Sequence, residues 1–350
     1  MRGNGASANP ALPSNNIMQV DIKTSNVKTV RQAFAHLERR FGDKVATRYQ
    51  EATYDIQSEA NFHYKPLWDP DRDMYDRRRT VIVMQDWYAL KDPRQFYYGA
   101  YTITRARWQE GVDRQVAFVE KRKLLEQLPK NQRDLIVSAL VPLRHYEWGA
   151  NTNNAHISAY GWGVAITQAA MMNTMDRLAM AQHLSRIGLL LDGSTGETLD
   201  AAKQEWVSEP SWQGLRREIE NMFVTRDWFE LLVAQNLVAD SLIYPLFFGR
   251  IDSKLAEASG DSLVLVTEFL SRWYEETSKW VDAVIKTAAA ESDANRLLLE
   301  GWVGKWRGPL LEAVRPLAAR FLGSDGQEAL ASITQAFDVR IAKLGIGVAA

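Results

Sequence analysis

No cysteine occurs among the 350 residues. A disulfide, a thiolate metal site, an iron–sulfur cluster and a cysteine nucleophile are therefore excluded together. Histidine is scarce, with five in the whole chain, which bounds any imidazole-based metal centre before its geometry is considered. Net charge is also nearly absent: 42 Lys and Arg against 43 Asp and Glu leave −1. The two signs are interleaved, so no basic stripe offers an electrostatic footprint for nucleic acid or an anionic membrane. No apolar run approaches the ~20 residues of a transmembrane helix, and the opening MRGNGASANPALPSNN has no hydrophobic signal core. A cytoplasmic setting is the expectation. Nucleotide and acyl-transfer signatures are missing too: there is no Gly-x-Gly-x-x-Gly after a strand pattern, no Gly-x-x-x-x-Gly-Lys and no Gly-x-Ser-x-Gly. Gly161-Trp162-Gly163 lies in a helical pattern without a further Gly at the right spacing.

What the chain does have is apolar mass, 46% of its residues, and 12 Trp, enough for a sizeable core and in keeping with a buried partner surface. Residues 1–17 are rich in Gly, Ala, Ser, Asn and Pro and are expected to be disordered. Residues 28–41 predict a short helix with Val30, Phe34 and Leu37 on one face, closed by Gly42. From 43 to 85 no period is sustained although Tyr49, Tyr54, Phe62, Tyr64, Trp68 and Tyr75 are scattered through it; so long an aromatic segment needs a surface to lie on. The reading is an arm that wraps a partner, with this chain's own helices as the alternative surface.

Asp92-Pro93 with Gln95 predicts the start of a long helix, Asp as N-cap and Pro in the first turn. Tyr97, Tyr101, Trp108, Val112 and Val119 mark its buried face. A second helical stretch, 132–158, carries Ile136, Leu140, Leu143 and Glu147 on one stripe and is expected to kink at Pro142. A third, 160–191, has Met171, Met175, Leu178 and Ala179 on one face and stops at Asp192-Gly193. Two short helices around Pro210, an almost wholly apolar helix over 225–248, an amphipathic one over 261–290 and helical segments at 292–322 and 326–343 complete the chain, with Gly301, Gly304, Gly308 and Pro309 expected to interrupt the last part. The fold class is all-α: a ferritin-like long-helix bundle over 86–343, extra short helices, and an irregular N-terminal arm over 18–85.

A ferritin-like di-iron bundle needs a Glu from each of two helices and Glu-x-x-His from each of two others. Three residues before His36, His63, His145, His156 and His183 stand Ala33, Ala60, Pro142, Asn153 and Met180, none a carboxylate. Asp176 and His183 share a helical face, but the residues between offer no further ligand. Glu147 reads as a buried polar anchor or as a ligand remnant that binds nothing. The expectation is no catalytic, cofactor or metal residue on this chain. A free-standing helical heme or flavin enzyme, with His145, His156 or His183 as its ligand, is the rival from another class, and a scaffold or adaptor is a third reading.

The stretches FGDKVATRYQEATYDIQ (41–57), NFHYKPLWDP (61–70), DPRQFYYGAYTITRARWQE (92–110) and LRHYEWGANTNN (143–154) resemble the β subunit of bacterial multicomponent phenol hydroxylases. Related β subunits of toluene, alkene and methane monooxygenases share the architecture. The resemblance implies a β subunit that keeps the catalytic subunit's fold without its ligands. It implies an (αβγ)2 assembly with a di-iron α subunit and a small γ subunit, a regulatory protein, and an NADH-dependent reductase carrying FAD and an iron–sulfur cluster. On that reading Trp68, Arg94, Tyr97 and Tyr98 are the candidate interface anchors, because aromatics and Arg dominate interface energetics.

Overall fold

The computed structural model describes residues 34–57, 65–259 and 262–347. The expected disorder of 1–17, and the placements of Val30, Phe62, His63 and Tyr64, lie outside the described residues. Every regular element among the described residues is helical.

The arm carries more structure than its missing period suggested. Leu37 is buried in α1 (Ala35–Phe41), whose last turn ends on Gly42 at φ 68°. Thr47 and Gln50 then form a reciprocal capping box that starts α2 (Arg48–Thr53). That Thr-x-x-Gln signal was present in the sequence, but a six-residue helix is too short to show periodicity. Tyr49, Tyr54 and Tyr88 pack together with Leu37 and Ala165, and the Tyr49 hydroxyl oxygen accepts the Asp92 N–H at 2.9 Å. Further on, Ile82, Met84, Trp87 and Leu90 enter the main core. Val83 exchanges hydrogen bonds with the Asn295 side chain at 3.1 and 2.8 Å. The described part of the arm thus lies on this chain's own helices.

The first long helix, α3 (Tyr98–Lys121), begins five residues later than expected. Asp92 does not cap it; its carboxylate accepts the Arg94 N–H at 2.9 Å and pairs with the Arg94 guanidinium at 3.0 Å. This closes a turn whose Gln95 sits at φ 53°. A short Asx-type turn has outcompeted helix initiation. The 132–158 pattern breaks rather than kinks: α4 (Lys130–Ala139) ends and α5 (Leu143–Tyr160) starts after Pro142. Gly161-Trp162-Gly163 is the turn to α6 (Val164–Leu191), with Gly163 at φ 89° where a side chain would be strained. It does not belong to a helix, contrary to its sequence pattern.

Pro210 separates α7 (Glu197–Ser208) from α8 (Pro210–Phe223), as expected. The apolar run becomes a helix of mixed pitch: α9 (Trp228–Leu232), a π-helical stretch at Val233–Ala239, α10 (Asp240–Pro245), a second π stretch at Leu246–Ile251, and α11 (Asp252–Ser259). Trp228–Glu257 is long and apolar enough to cross a membrane by composition, yet its most apolar window is 94% buried inside this fold. It is a core helix. The amphipathic stripe of α12 (Val264–Glu291) is buried as read, through Val266, Leu270, Trp273, Trp280 and Val284.

The structure overrides the expected breaks in α13 (Asp293–Leu322), which runs through Gly301, Gly304, Gly308, Pro309 and Pro316. Leu299, Trp302, Val303, Trp306, Leu310, Val314 and Leu317 keep a continuous buried face, and each such side chain contributes about 1.5–3 kcal/mol, which outweighs propensity costs of ~1 kcal/mol per Gly and ~3 kcal/mol per Pro. The chain ends in α14 (Gly326–Lys343). Helices α5, α6, the α9–α11 run and α12 surround the centre, with α3 laid beside α6 and α12, and α8, α13 and α14 outside.

Helix α8 comes close to the α13 backbone at Gly214, where a Cβ would lie 3.0 Å from the Ala313 Cα. Gly214→Val is expected to push α8 off α13 and cost about 1–3 kcal/mol. A urea denaturation midpoint unchanged from wild type would show that the two helices can separate freely there.

Candidate functional site

The centre of the bundle is polar. Arg177 on α6 is fully buried and donates from Nη1 to Glu147 Oε2 of α5 at 3.0 Å and from Nη2 to Asp240 Oδ2 of α10. Tyr244 donates its hydroxyl to the other Glu147 oxygen at 2.7 Å, and Tyr146 donates to Asp240 Oδ1 at 2.6 Å. Gln235, on the first π stretch, donates to both Tyr146 and Asp240 at 3.0 and 3.2 Å. The indole of Trp273 from α12 lies 4.5 Å from the guanidinium carbon. A π turn adds a residue to the helical repeat, and here it brings Gln235 and Asn236 inward together. Asn236 joins Asn154 and Asn173 through bonds of 2.8 to 3.3 Å.

Burial raises the pKa of Glu147, against the pull of Arg177 and Tyr244. Burial also opposes the Arg177 charge, but Asp240, Tyr244 and Glu147 keep the guanidinium protonated well above its ordinary range. Both phenols are held neutral by burial first and by the neighbouring carboxylates second. The arrangement can store charge in a dry place. It offers no exposed nucleophile and no acid or base open to a substrate.

A second ionic cluster touches the first through Trp273. Its indole N–H donates to Asp176 at 2.8 Å, and Asp176 also accepts from Tyr101 at 2.8 Å and from Arg105 at 2.7 and 2.8 Å. Arg105 pairs with Glu276 at 2.9 Å, and Glu276 lies 3.4 Å from Arg94. The Asp176–His183 pair conceived from the sequence does not form. The His183 Nε2–H donates to the Val266 carbonyl at 2.6 Å and its ring stands edge-on to Phe269. His145 stacks on Trp206 and His156 lies against Tyr160, so the three candidate ligands of the heme or flavin reading sit in three separate surroundings.

The residues present do not fit a di-metal centre. Glu147 and Asp240 are both committed to Arg177, and among the described residues no group of three or more His, Asp and Glu is placed to hold an ion. The 360 Å³ surface hollow lined by Arg107, Trp108, Gly111, Val112, Phe269 and Arg272 includes none of the central residues.

The expected interface anchors separate into two kinds. Tyr98 is 73% exposed and Trp68 is 42% exposed, the latter edge-on to Tyr160 and under Arg79 and Arg226. Tyr97 packs partly into the Tyr49 cluster. Arg94 is turned inward onto Asp92 and Glu276, so it offers a partner no free guanidinium.

A feature missed by sequence reading lies on α6, where the expected buried stripe is outside. Met171, Met175, Leu178 and Ala179 are exposed, while Asn173, Asp176, Arg177 and His183 face in. Periodicity could not choose, because the helix is apolar on nearly every side and its few polar residues are wanted by the centre. Trp148 and Thr152 on α5 are also exposed, and the Asn151 side chain bonds to the Thr174 carbonyl at 2.7 Å, which places the two outward faces side by side. In residues 145–160 and 164–185 the only charged residues are Glu147, Asp176 and Arg177, all buried. Over these two stretches the outward face of the hairpin carries no charge.

The fold and centre define a ferritin-like helical protein whose carboxylates hold an arginine rather than metal. Comparison with known proteins places it more narrowly. The family described as methane/phenol/alkene hydroxylase matches residues 68–292, and the chain belongs to that family. It is 50% identical to the phenol 2-monooxygenase oxygenase component DmpL of Pseudomonas sp. (strain CF600), over 94% of this chain and 98% of that one. It is 26% identical to the hydroxylase component subunit beta of the toluene-4-monooxygenase system of Ectopseudomonas mendocina, over 79% and 88%. The crystal structure of xenon-pressurised phenol hydroxylase from Pseudomonas sp. OX1 superposes with a TM-score of 0.88 at 42% identity, covering 93% of this chain and 99% of that one.

Burial lowers the pKa of His183 and of His145 from 6.5 to about 4, so between those values the unfolded chain takes up protons that the folded chain refuses. Stability is complete above pH 6.5 and falls as the pH drops through this window, by up to about 1.4 kcal/mol per pH unit for each group. Asp252 acts in the opposite sense, since burial raises its carboxyl from 3.8 to about 6 and the folded chain then binds the extra proton. His183→Leu is expected to lower stability at pH 7.5 but to flatten its loss between pH 6.5 and 4.5. Urea midpoints measured across that range check this, and an unaltered slope would mean that His183 is already protonated in the fold.

Proposed function

We propose that this chain is the non-catalytic β subunit of a multicomponent phenol hydroxylase, assembled with a catalytic α and a small γ subunit as (αβγ)2. In this reading the α subunit holds the di-iron site that activates O2 and hydroxylates the phenol. Electrons come from NADH through a reductase carrying FAD and an iron–sulfur cluster, a regulatory protein completes the system, and the whole is cytoplasmic. The observation that carries the reading is Arg177, which spends Glu147 and Asp240 on a side chain instead of a metal. The greater identity to phenol than to toluene oxygenase components supports phenol over a toluene or alkene system.

The uncharged α5–α6 face is the proposed seat of the catalytic subunit. Interface cores are depleted of charge and enriched in aromatic residues and Met, and exposed apolar patches on a helical protein mark contact sites. Trp148, Met171, Met175 and Leu178 supply these here. Tyr98 and Trp68 remain proposed contacts of its margin, together with Leu67, Val81 and Val83 on the outer side of the arm.

Met175→Lys or Leu178→Glu is expected to lower the yield of assembled complex at least tenfold while leaving the melting temperature of the isolated chain unchanged, because the introduced charge is hydrated until a partner arrives. Phenol turnover per assembled complex should stay within a few fold. Glu147→Gln should likewise keep turnover per complex, since loss of a group that does chemistry costs ~10²-fold or more. A normally assembled, fully iron-loaded Glu147→Gln complex with turnover reduced a hundredfold would place chemistry on this chain after all.

A further inference from the structure

The centre of this bundle has the composition of an ion site with one substitution. Two carboxylates from facing helices, Glu147 and Asp240, point at one volume, and the hydroxyls of Tyr146 and Tyr244 add oxygen atoms around it. All four residues are buried. Ferritin-like bundles hold metal ions between such carboxylates, and the charge balance of a dry pocket requires a cation there. Arg177 supplies it, reaching in from α6 with each terminal nitrogen on a different carboxylate. Its Nε is buried without a partner, so the guanidinium is held by its position between the acids rather than by a full set of bonds.

We infer that Arg177 is a resident counter-cation that locks a latent divalent-metal site formed by Glu147 and Asp240, and that removing this one side chain opens the centre to a hard, oxygen-seeking ion. The donors are all oxygen, which suits Mn2+ or Mg2+ rather than a thiolate- or imidazole-seeking metal. Arg177→Ala vacates the volume of the guanidinium and its methylenes, enough for an ion and waters to complete its shell. Two outcomes then compete at the uncompensated acids. They bind a metal, or they take up protons because two close carboxyls in a dry site do not both stay ionised. High pH favours the first. The inference rests on the bundle geometry and on no partner, and its readout is bound metal, where the assembly tests read yield and turnover.

The test uses the full chain purified without partners at pH 8, with Mn2+ as the probe and electron paramagnetic resonance to count free ion. Wild type and Arg177→Lys, which both keep an internal cation, are expected to retain no Mn2+ at the centre. Arg177→Ala is expected to retain it after desalting, to melt about 3 °C or more higher with Mn2+ than without, and to lose this response at pH 5.5. Adding Asp240→Asn to Arg177→Ala should weaken uptake at least tenfold. Should Arg177→Ala emerge unfolded, refolding in the presence of Mn2+ is expected to recover helical circular dichroism, and failure to recover it overturns the inference. A folded Arg177→Ala that takes up no Mn2+ overturns it too, as does an Arg177→Met chain with wild-type melting temperature and no metal, because the centre would then need no cation.

Discussion

A guanidinium without water must have its charge met by the protein, and the four inner helices are arranged so that Arg177 has this. Two carboxylates from two helices accept its terminal nitrogens, and an indole from a third lies against its face. Removing one member of such a group leaves a buried charge uncompensated, at about 3–5 kcal/mol, which compares with ~5–15 kcal/mol for the whole stability of an ordinary domain. The group specifies as well as stabilises. Leu, Ile and Trp side chains in the surrounding core can exchange neighbours at small cost, but Glu147, Arg177, Asp240, Tyr146 and Tyr244 satisfy each other in one register of the helices only.

That demand explains the inversion of α6. A helix that must turn Asn173, Asp176, Arg177 and His183 inward has Met171, Met175 and Leu178 left for its outer face. Its hairpin partner α5 does the same with Glu147 inside and Trp148 outside. The polar centre and the uncharged exterior are therefore two aspects of one helical placement, and the apolar outer face follows from how the interior is held.

The irregular segment before α3 is tied to the same centre. Asp92 orients Arg94, Arg94 reaches Glu276, Glu276 and Asp176 share Arg105, and Asp176 holds the Trp273 indole that lies on Arg177. Side chains in such a chain of ion pairs fix one another's rotamers. Arg94, which made the turn before α3 look like a binding surface, is engaged in this internal line.

The all-α class, the long helices, the stop at Pro210 and the buried stripe of α12 were legible in the sequence, because each rests on residues within a few turns of one another. The missing Glu-x-x-His pairs were equally legible, since that motif is local by definition, and Glu147 was readable as a buried polar anchor from its place on the α5 stripe. The partner of Glu147 was not. Arg177 stands 30 residues away in sequence and Asp240 stands 63 beyond Arg177, and nothing in the spacing of three charged residues says that they meet. The start of α3, the unbroken course of α13 and the outward face of α6 were likewise decided in three dimensions. In each case a local preference, for a helix cap, a glycine break or an apolar inner stripe, was outweighed by burial or ionic contact with residues distant in the chain. Local physics determined which helices this chain makes, and the pairing of buried charges across them determined which way they face.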